Sequence, residues 1–162
     1  MTQDELLKLI DQAAAEGWKE LDLAGADLTE LPPEIGKLTQ LETLILAKYV
    51  KGKYLGNDLI QLPAEIGLLK NLKSLQANGN SLYKYRIRGA KPGNQLTQLP
   101  PEIGQLTSLQ QLDLSANQLT QLPPEIGQLT SLQQLDLSAN QLTQLPPEIG
   151  QLTSLQQLDL SA

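Results

Sequence analysis

The sequence predicts an α/β solenoid built from one small repeated unit, and the repeats themselves carry this prediction. Residues 94–116, 117–139 and 140–162 are the same 23-residue string, NQLTQLPPEIGQLTSLQQLDLSA. The leucine spacing of that string recurs three times upstream, in units that start at Trp18, Leu41 and Leu72. Identical short units can bury their apolar faces only by stacking on one another, so we expect one coil per unit.

The residues before the first unit predict an N-terminal helix over residues 1–17. Thr2 and Glu5 have the spacing of a capping box, and Gly17 is a typical helix stop. Apolar residues recur between them at helical spacing, namely Leu6, Leu9, Ile10, Ala13 and Ala14. We expect this helix to cover the first coil, so the chain divides into a cap over 1–17 and repeats over 18–162.

Each unit predicts a short strand, a turn and an extended or 3₁₀ return. In the segment 109–115 the alternating Leu112 and Leu114 point inward, and the residues between them point outward. Asparagines such as Asn117 and Asn140 are expected to bond the backbone of neighbouring coils. Paired prolines exclude a central strand from LPPEIG and favour a 3₁₀ convex side, with inward isoleucines at Ile103, Ile126 and Ile149. The result is a right-handed solenoid whose concave face is a parallel β-sheet.

Two units carry extra residues, at 48–56 and 81–93. Both insertions follow the strand, so we expect them on one rim of the concave face, on adjacent coils that pack together. In the first, Tyr49–Lys51 and Lys53–Leu55 flank Gly52 and predict a small hairpin. In the second, apolar and basic residues alternate over 83–88, which predicts a strand.

These insertions and the concave strands supply the candidate binding residues. Tyrosine and arginine are enriched at binding hot spots, and loops on a rigid scaffold often carry function. The candidates in the insertions are Tyr49, Lys51, Lys53, Tyr54, Tyr83, Lys84, Tyr85, Arg86 and Arg88. The candidates on the concave strands are Gln111, Asp113, Gln134 and Asp136. The alternative is that the tyrosines only fix the loops to each other and to the scaffold.

Composition excludes several classes of function. The chain has no cysteine and no histidine, which removes a thiol nucleophile, the commonest general base and the commonest metal ligands. Asp113, Asp136 and Asp159 form a column, but stacking alone places any outward residue in a column. No nucleotide-binding glycine motif is present. We therefore expect no enzyme activity, no cofactor and no metal.

Charge and the first residues bear on partners and location. The net charge is −6, yet the two insertions hold 7 of the 12 basic residues. The rest of the chain, with 5 basic and 18 acidic residues, disfavours nucleic acid as a partner. The opening MTQDELLKLIDQ lacks a long apolar run, so we expect no membrane association and a cytoplasmic location.

The pattern L-x-x-L-x-L-x-x-N-x-L, followed by LPPEIGxLxxL, resembles the 23-residue class of leucine-rich repeats. The first 46 residues are similar to bacterial, especially cyanobacterial, repeat proteins, in several of which the repeats precede a Roco-type GTPase domain. The resemblance implies non-catalytic binding of a protein of unknown identity. It also leaves two alternatives open: a piece of a larger Roco-type regulatory GTPase, or an engineered scaffold without a natural ligand. The last unit has no layer after it, which predicts end-to-end self-association.

Overall fold

The computed structural model describes residues 1–81 and 93–161. Within these ranges the chain forms one α-helix and eight short β-strands. The elements in chain order are α1 Gln3–Glu16, β1 Glu20–Asp22, β2 Thr43–Ile45, β3 Lys48–Val50, β4 Lys53–Leu55, β5 Ser74–Gln76, β6 Gln111–Asp113, β7 Gln134–Asp136 and β8 Gln157–Asp159. Between the sheet strands lie 3₁₀ segments at Pro33–Lys37, Ala64–Leu68, Pro101–Gln105, Pro124–Gln128 and Pro147–Gln151.

Helix α1 begins and ends where its sequence predicts. The Thr2 hydroxyl accepts a hydrogen bond from the backbone N–H of Glu5, and the Glu5 carboxylate accepts one from the N–H of Thr2. Gly17 ends the helix with a left-handed φ of 66°. Leu6, Ile10 and Ala13 are buried against the first coil. The helix therefore covers one end of the apolar core.

Six strands form one parallel sheet in the order β1-β2-β5-β6-β7-β8. Equivalent leucines pair across it in register, for example Leu112 with Leu135 and Leu135 with Leu158. The strands are shorter than predicted, at three residues each. The Asp113 carboxylate accepts a hydrogen bond from the N–H of Ser115, and Ala116 takes a left-handed φ of 55°, so the backbone turns immediately after β6.

The core is a column of leucine and isoleucine, closed on the convex side by the 3₁₀ segments. Ile103 and Ile126 are fully buried as predicted, whereas Ile149 in the last described coil is partly buried. The predicted asparagine ladder is also confirmed. The Asn117 amide donates to the carbonyls of Ala77 and Leu114, and its oxygen accepts from the N–H of Leu96. Each such asparagine therefore links its own coil to the preceding one.

The first insertion forms the predicted hairpin, shifted by one residue. Strands β3 and β4 pair antiparallel, with Tyr49 opposite Tyr54. Lys51 lies in the turn rather than in the strand, because Lys51 and Gly52 both adopt left-handed backbone, with φ of 51° and 76°. Two consecutive residues of positive φ make the tight turn that suits the twist of two antiparallel strands.

Candidate binding surface

The outward side chains of strands β5 to β8 line an open groove. Because side chains alternate along a strand, each three-residue strand directs two side chains away from the core. Parallel pairing in register places these in two rows that run from coil to coil. The rows contribute Ser74, Gln76, Gln111, Asp113, Gln134, Asp136, Gln157 and Asp159 to the groove. The four predicted concave residues are therefore brought together on one surface.

Acidic groups at the N-terminal end of this face are paired with lysines. The Glu42 carboxylate lies 2.6 Å from the Lys73 ammonium and 3.5 Å from that of Lys19. The hydrogen bond from Lys73 lowers the pKa of Glu42. Asp22 is paired with Lys48 at the base of the hairpin. These exposed pairs fix side-chain positions and neutralise charge, while contributing little stability each.

The pairing of Glu42 with Lys19 and Lys73 was not predicted, although the sequence contains a signal for it. Lys19, Glu42 and Lys73 occupy the same position in three successive units, directly after the first residue of the pattern, which is Trp18, Leu41 or Leu72. Stacking in register places side chains at equivalent positions beside one another, so alternating charge at one repeat position predicts ion pairs.

The C-terminal half of the groove has a different charge arrangement. Asp113 and Asp136 each accept a hydrogen bond from the hydroxyl and the backbone N–H of the serine two residues later. Asp159 accepts the equivalent backbone bond from Ser161, which lowers its pKa. In the part of the chain that the structure describes, no lysine or arginine forms an ion pair with any of the three.

Burial raises the pKa of Asp113, and the neighbouring Asp136 charge adds to this effect. A carboxyl whose pKa is higher in the folded chain favours folding only when it is protonated, and that contribution is lost as pH rises through the folded pKa. Asp113→Asn should therefore stabilise the chain at pH 7, by about 1 kcal/mol or about 2–4 °C in Tm.

The Asp113→Asn prediction can be checked by thermal unfolding at pH 7 and at about pH 3, where the carboxyl is protonated in both states. The gain should vanish at the lower pH, since no charge remains to be removed. Asp159→Asn is the matched control, because its pKa is shifted in the opposite direction and the same substitution should not stabilise. Equal gains from both variants would contradict the assignment.

The hairpin stands on the rim of the groove and is fixed by both faces of its base. On one face, Lys48 pairs with Asp22, and Leu55 packs beside Gly25 on the first coil. On the other face, Tyr49 and Tyr54 contact each other, with ring centroids 5.2 Å apart. The two faces therefore point to the preceding and the following coil.

Tyr54 joins the hairpin to both ends of the second insertion. Its hydroxyl donates to the carbonyl of Asn78 at 2.8 Å and accepts from the N–H of Asn94 at 3.4 Å. Its ring lies so close to Gly93 that a Cβ there would be 2.5 Å from the hydroxyl oxygen. Burial raises the pKa of Tyr54. The hydroxyl of this tyrosine is thus occupied by structural bonds.

Tyr49 makes the corresponding contact at the start of the second insertion. Its hydroxyl accepts from the N–H of Ser81 at 3.0 Å and bonds the Ser81 hydroxyl at 2.8 Å and the Asn80 amide oxygen at 3.3 Å. Tyr49 as a whole residue remains 43% exposed. The described ends of the second insertion therefore lie on the same rim as the hairpin, as predicted.

The remaining candidates of the second insertion lie outside the described residues. They are Tyr83, Lys84, Tyr85, Arg86 and Arg88. Among the described residues, Lys51 and Lys53 are exposed at the hairpin tip and form no ion pair.

In residues 1–81 and 93–161, no group of three or more carboxylates is placed to hold a metal ion. No helix in these ranges has the length and apolar composition needed to cross a membrane. In the last described coil, Leu158 and Leu160 are 38% and 48% exposed. End-to-end self-association through these leucines stays a prediction.

Comparison with known proteins identifies the family. The family model described as a leucine-rich repeat region matches residues 85–162. Among solved structures, a leucine-rich repeat protein of Leptospira interrogans is 31% identical with a TM-score of 0.59, and the match covers 93% of this chain and 45% of that one. No curated protein matches the sequence significantly.

A second solved structure comes from a plant. It is the leucine-rich repeat ectodomain of the Arabidopsis thaliana membrane receptor kinase GASSHO1/SCHENGEN3, in complex with CASPARIAN STRIP INTEGRITY FACTOR 2. The identity is 36%, the TM-score is 0.68, and the match covers 92% of this chain and 16% of that one. This chain therefore spans less than half the length of either solved protein. These matches do not test the resemblance to Roco-associated bacterial proteins, which stays a prediction.

The 23-residue spacing, the parallel sheet with its asparagine ladder and the similarity to solved repeat proteins lead to one assignment. The chain is a leucine-rich repeat protein.

Proposed function

We propose that the chain is a non-catalytic module that binds a protein partner through its concave sheet and the basic, tyrosine-bearing insertions on its rim. The observation that carries this proposal is the groove itself. Strands β5 to β8 present adjacent rows of polar side chains, of which Gln111, Gln134 and Gln157 are exposed. A rigid concave surface lets a partner bind with little loss of conformational freedom on this side of the interface.

The chemistry of the groove supports recognition over catalysis. Its described side chains are amides, carboxylates and hydroxyls, and neither a histidine nor a cysteine exists in the chain to act as base or nucleophile. The Arabidopsis ectodomain was solved in a complex, which supports partner binding by this fold.

The competing scaffold hypothesis rests on the three identical units, which leave the groove without position-specific features over its C-terminal half. A scaffold without a ligand would capture no protein that depends on groove residues. The two functions therefore differ in one measurable property, the sensitivity of partner capture to substitutions in the groove.

A capture experiment with matched variants tests the proposal. Gln111→Arg with Gln134→Arg adds two long cations to the groove floor, whereas Gln121→Arg with Thr130→Arg adds the same charge at exposed positions outside the groove. Immobilised wild-type chain and both variants are incubated with lysate, and bound proteins are quantified by mass spectrometry. We expect the groove variant to retain at most about a tenth of the partner. Equal capture by all three chains would refute groove binding.

A further inference from the structure

The base of the hairpin is bonded to neighbouring coils, whereas Lys51 and Lys53 at its tip are exposed and form no ion pair with any residue of 1–81 and 93–161. Its base is bonded on one side to Asp22 and on the other to Asn78 and Ser81. Contacts on both faces restrict the hairpin to one orientation. The hairpin tip is therefore preorganised, and a preorganised surface loses less conformational entropy when it binds a partner.

Charge at the tip is uncompensated. Of the three hairpin lysines, Lys48 at the base is neutralised by Asp22, whereas Lys51 and Lys53 have no acidic partner among the described residues. Val50, which precedes Lys51 and pairs with Lys53 across the hairpin, is 40% exposed. Lys51 and Gly52 form the left-handed turn, and Lys51, Gly52 and Lys53 are all exposed, so the tip offers two ammonium groups next to one partly exposed apolar side chain.

We propose that this tip, formed by Val50, Lys51 and Lys53, docks an acidic segment of a protein partner. The inference rests on the proposed function and assigns the partner's chemistry at one end of the surface. Two ammonium groups complement carboxylates, and Val50 complements an apolar residue between them. Tyr49 and Tyr54 act as positioning residues that hold the hairpin on the rim.

The overall charge of the chain favours a short acidic segment over a nucleic acid. Electrostatic interactions in physiological salt are screened beyond about 8 Å, so a short segment responds mainly to the lysines of the tip. A polynucleotide extends further and would face a chain of net charge −6. The patch is thus large enough for a few carboxylates and too small to offset the acidic coils.

Fluorescence anisotropy with a defined probe tests this inference. The probe is a fluorescein-labelled twelve-residue peptide of glutamate and leucine, titrated at about 50 mM and about 300 mM NaCl. Lys51→Glu with Lys53→Glu should weaken binding of the peptide by about tenfold or more, because two attractive pairs become repulsive. Affinity of the wild-type chain should fall at the higher salt.

The matched control is Lys8→Glu with Lys70→Glu, which changes net charge equally at exposed positions on α1 and outside the groove. This control should keep wild-type affinity. Equal loss in both double variants, or none in the hairpin variant, would overturn the inference, as would a wild-type chain that does not bind the peptide. Tighter binding of a twelve-residue thymidine oligonucleotide would overturn the choice of a protein segment.

Failure of this inference can be told apart from failure of the proposed function. The groove variant Gln111→Arg with Gln134→Arg should keep its affinity for the peptide, because its substitutions lie on strands away from the hairpin. Loss of partner capture in that variant, together with absent peptide binding in the wild type, would leave the groove function standing and remove only the role of the tip.

Discussion

Asn117→Ala should lower the free energy of unfolding by about 3 kcal/mol. The Asn117 amide donates to the carbonyls of Ala77 at 3.0 Å and Leu114 at 2.9 Å, and its oxygen accepts from the N–H of Leu96 at 2.9 Å. All three bonds are buried. Truncation to alanine leaves the Ala77 carbonyl and the Leu96 N–H without partners in a buried site, whereas the Leu114 carbonyl keeps its bond from the Asn140 amide. Each unsatisfied buried group costs about 1–3 kcal/mol.

Asn140→Ala is the matched control for Asn117→Ala, because both asparagines lie in identical 23-residue units and make equivalent bonds. Asn140 is only partly buried, so water can replace part of what the amide supplied. We expect a loss of about 1 kcal/mol for the control. Urea unfolding followed by far-UV circular dichroism measures both values. Equal losses of unfolding free energy in the two variants would show that burial of the asparagine does not determine how much it stabilises the fold.

The repeat architecture could be predicted from the sequence because its causes are local and repeated. Alternating leucines such as Leu112 and Leu114 determine the inward face, and the paired prolines exclude any central strand from the return segment. Helix α1 is defined by Thr2, Glu5 and Gly17, all within one local pattern. The same reasoning extends to the hairpin, whose turn depends on Gly52.

Contacts between insertions could not be predicted, because they depend on how far two loops on neighbouring coils reach. Tyr54 and Asn94 are 40 residues apart in sequence, and nothing in either local pattern specifies their bond. For the same reason, the sequence alone does not decide whether the tyrosines contact a ligand or only the scaffold. The structure places both hydroxyls in structural bonds, which leaves the lysines of the tip as the free polar groups of the described hairpin.

The close backbone contact at Gly79 could not be predicted either, because a glycine beside an insertion is expected in any loop. In the plain units this position is Ala116 or Ala139, with left-handed φ of 55° and 53°. Gly79 instead pairs with Gly93 across the base of the second insertion and donates its N–H to the carbonyl of Ser115 at 2.7 Å. The insertion thus brings the backbones of two coils closer than a side chain would allow.

Gly79→Ala should therefore lower the free energy of unfolding by at least about 3 kcal/mol. A Cβ on Gly79 would overlap the carbonyl oxygen of Ala116 and lie 2.7 Å from that of Asn94. Both obstacles are backbone atoms tied into neighbouring coils, so relief requires the coils to separate at the rim. Urea unfolding measures the loss, and amide hydrogen exchange should show faster exchange at Gly79 and Ala116.

Two further glycines calibrate this result, because Gly127 and Gly150 occupy the same place in identical units. A Cβ on Gly127 would lie 2.5 Å from the carbonyl oxygen of Glu148, whereas one on Gly150 meets no heavy atom within 4 Å. Alanine should cost about 1–3 kcal/mol at Gly127 and less than about 0.5 kcal/mol at Gly150. With local sequence held constant, the difference between them measures the close approach of the next coil. A loss at Gly79 no larger than that at Gly150 would mean that the coils at the insertion are not in close contact.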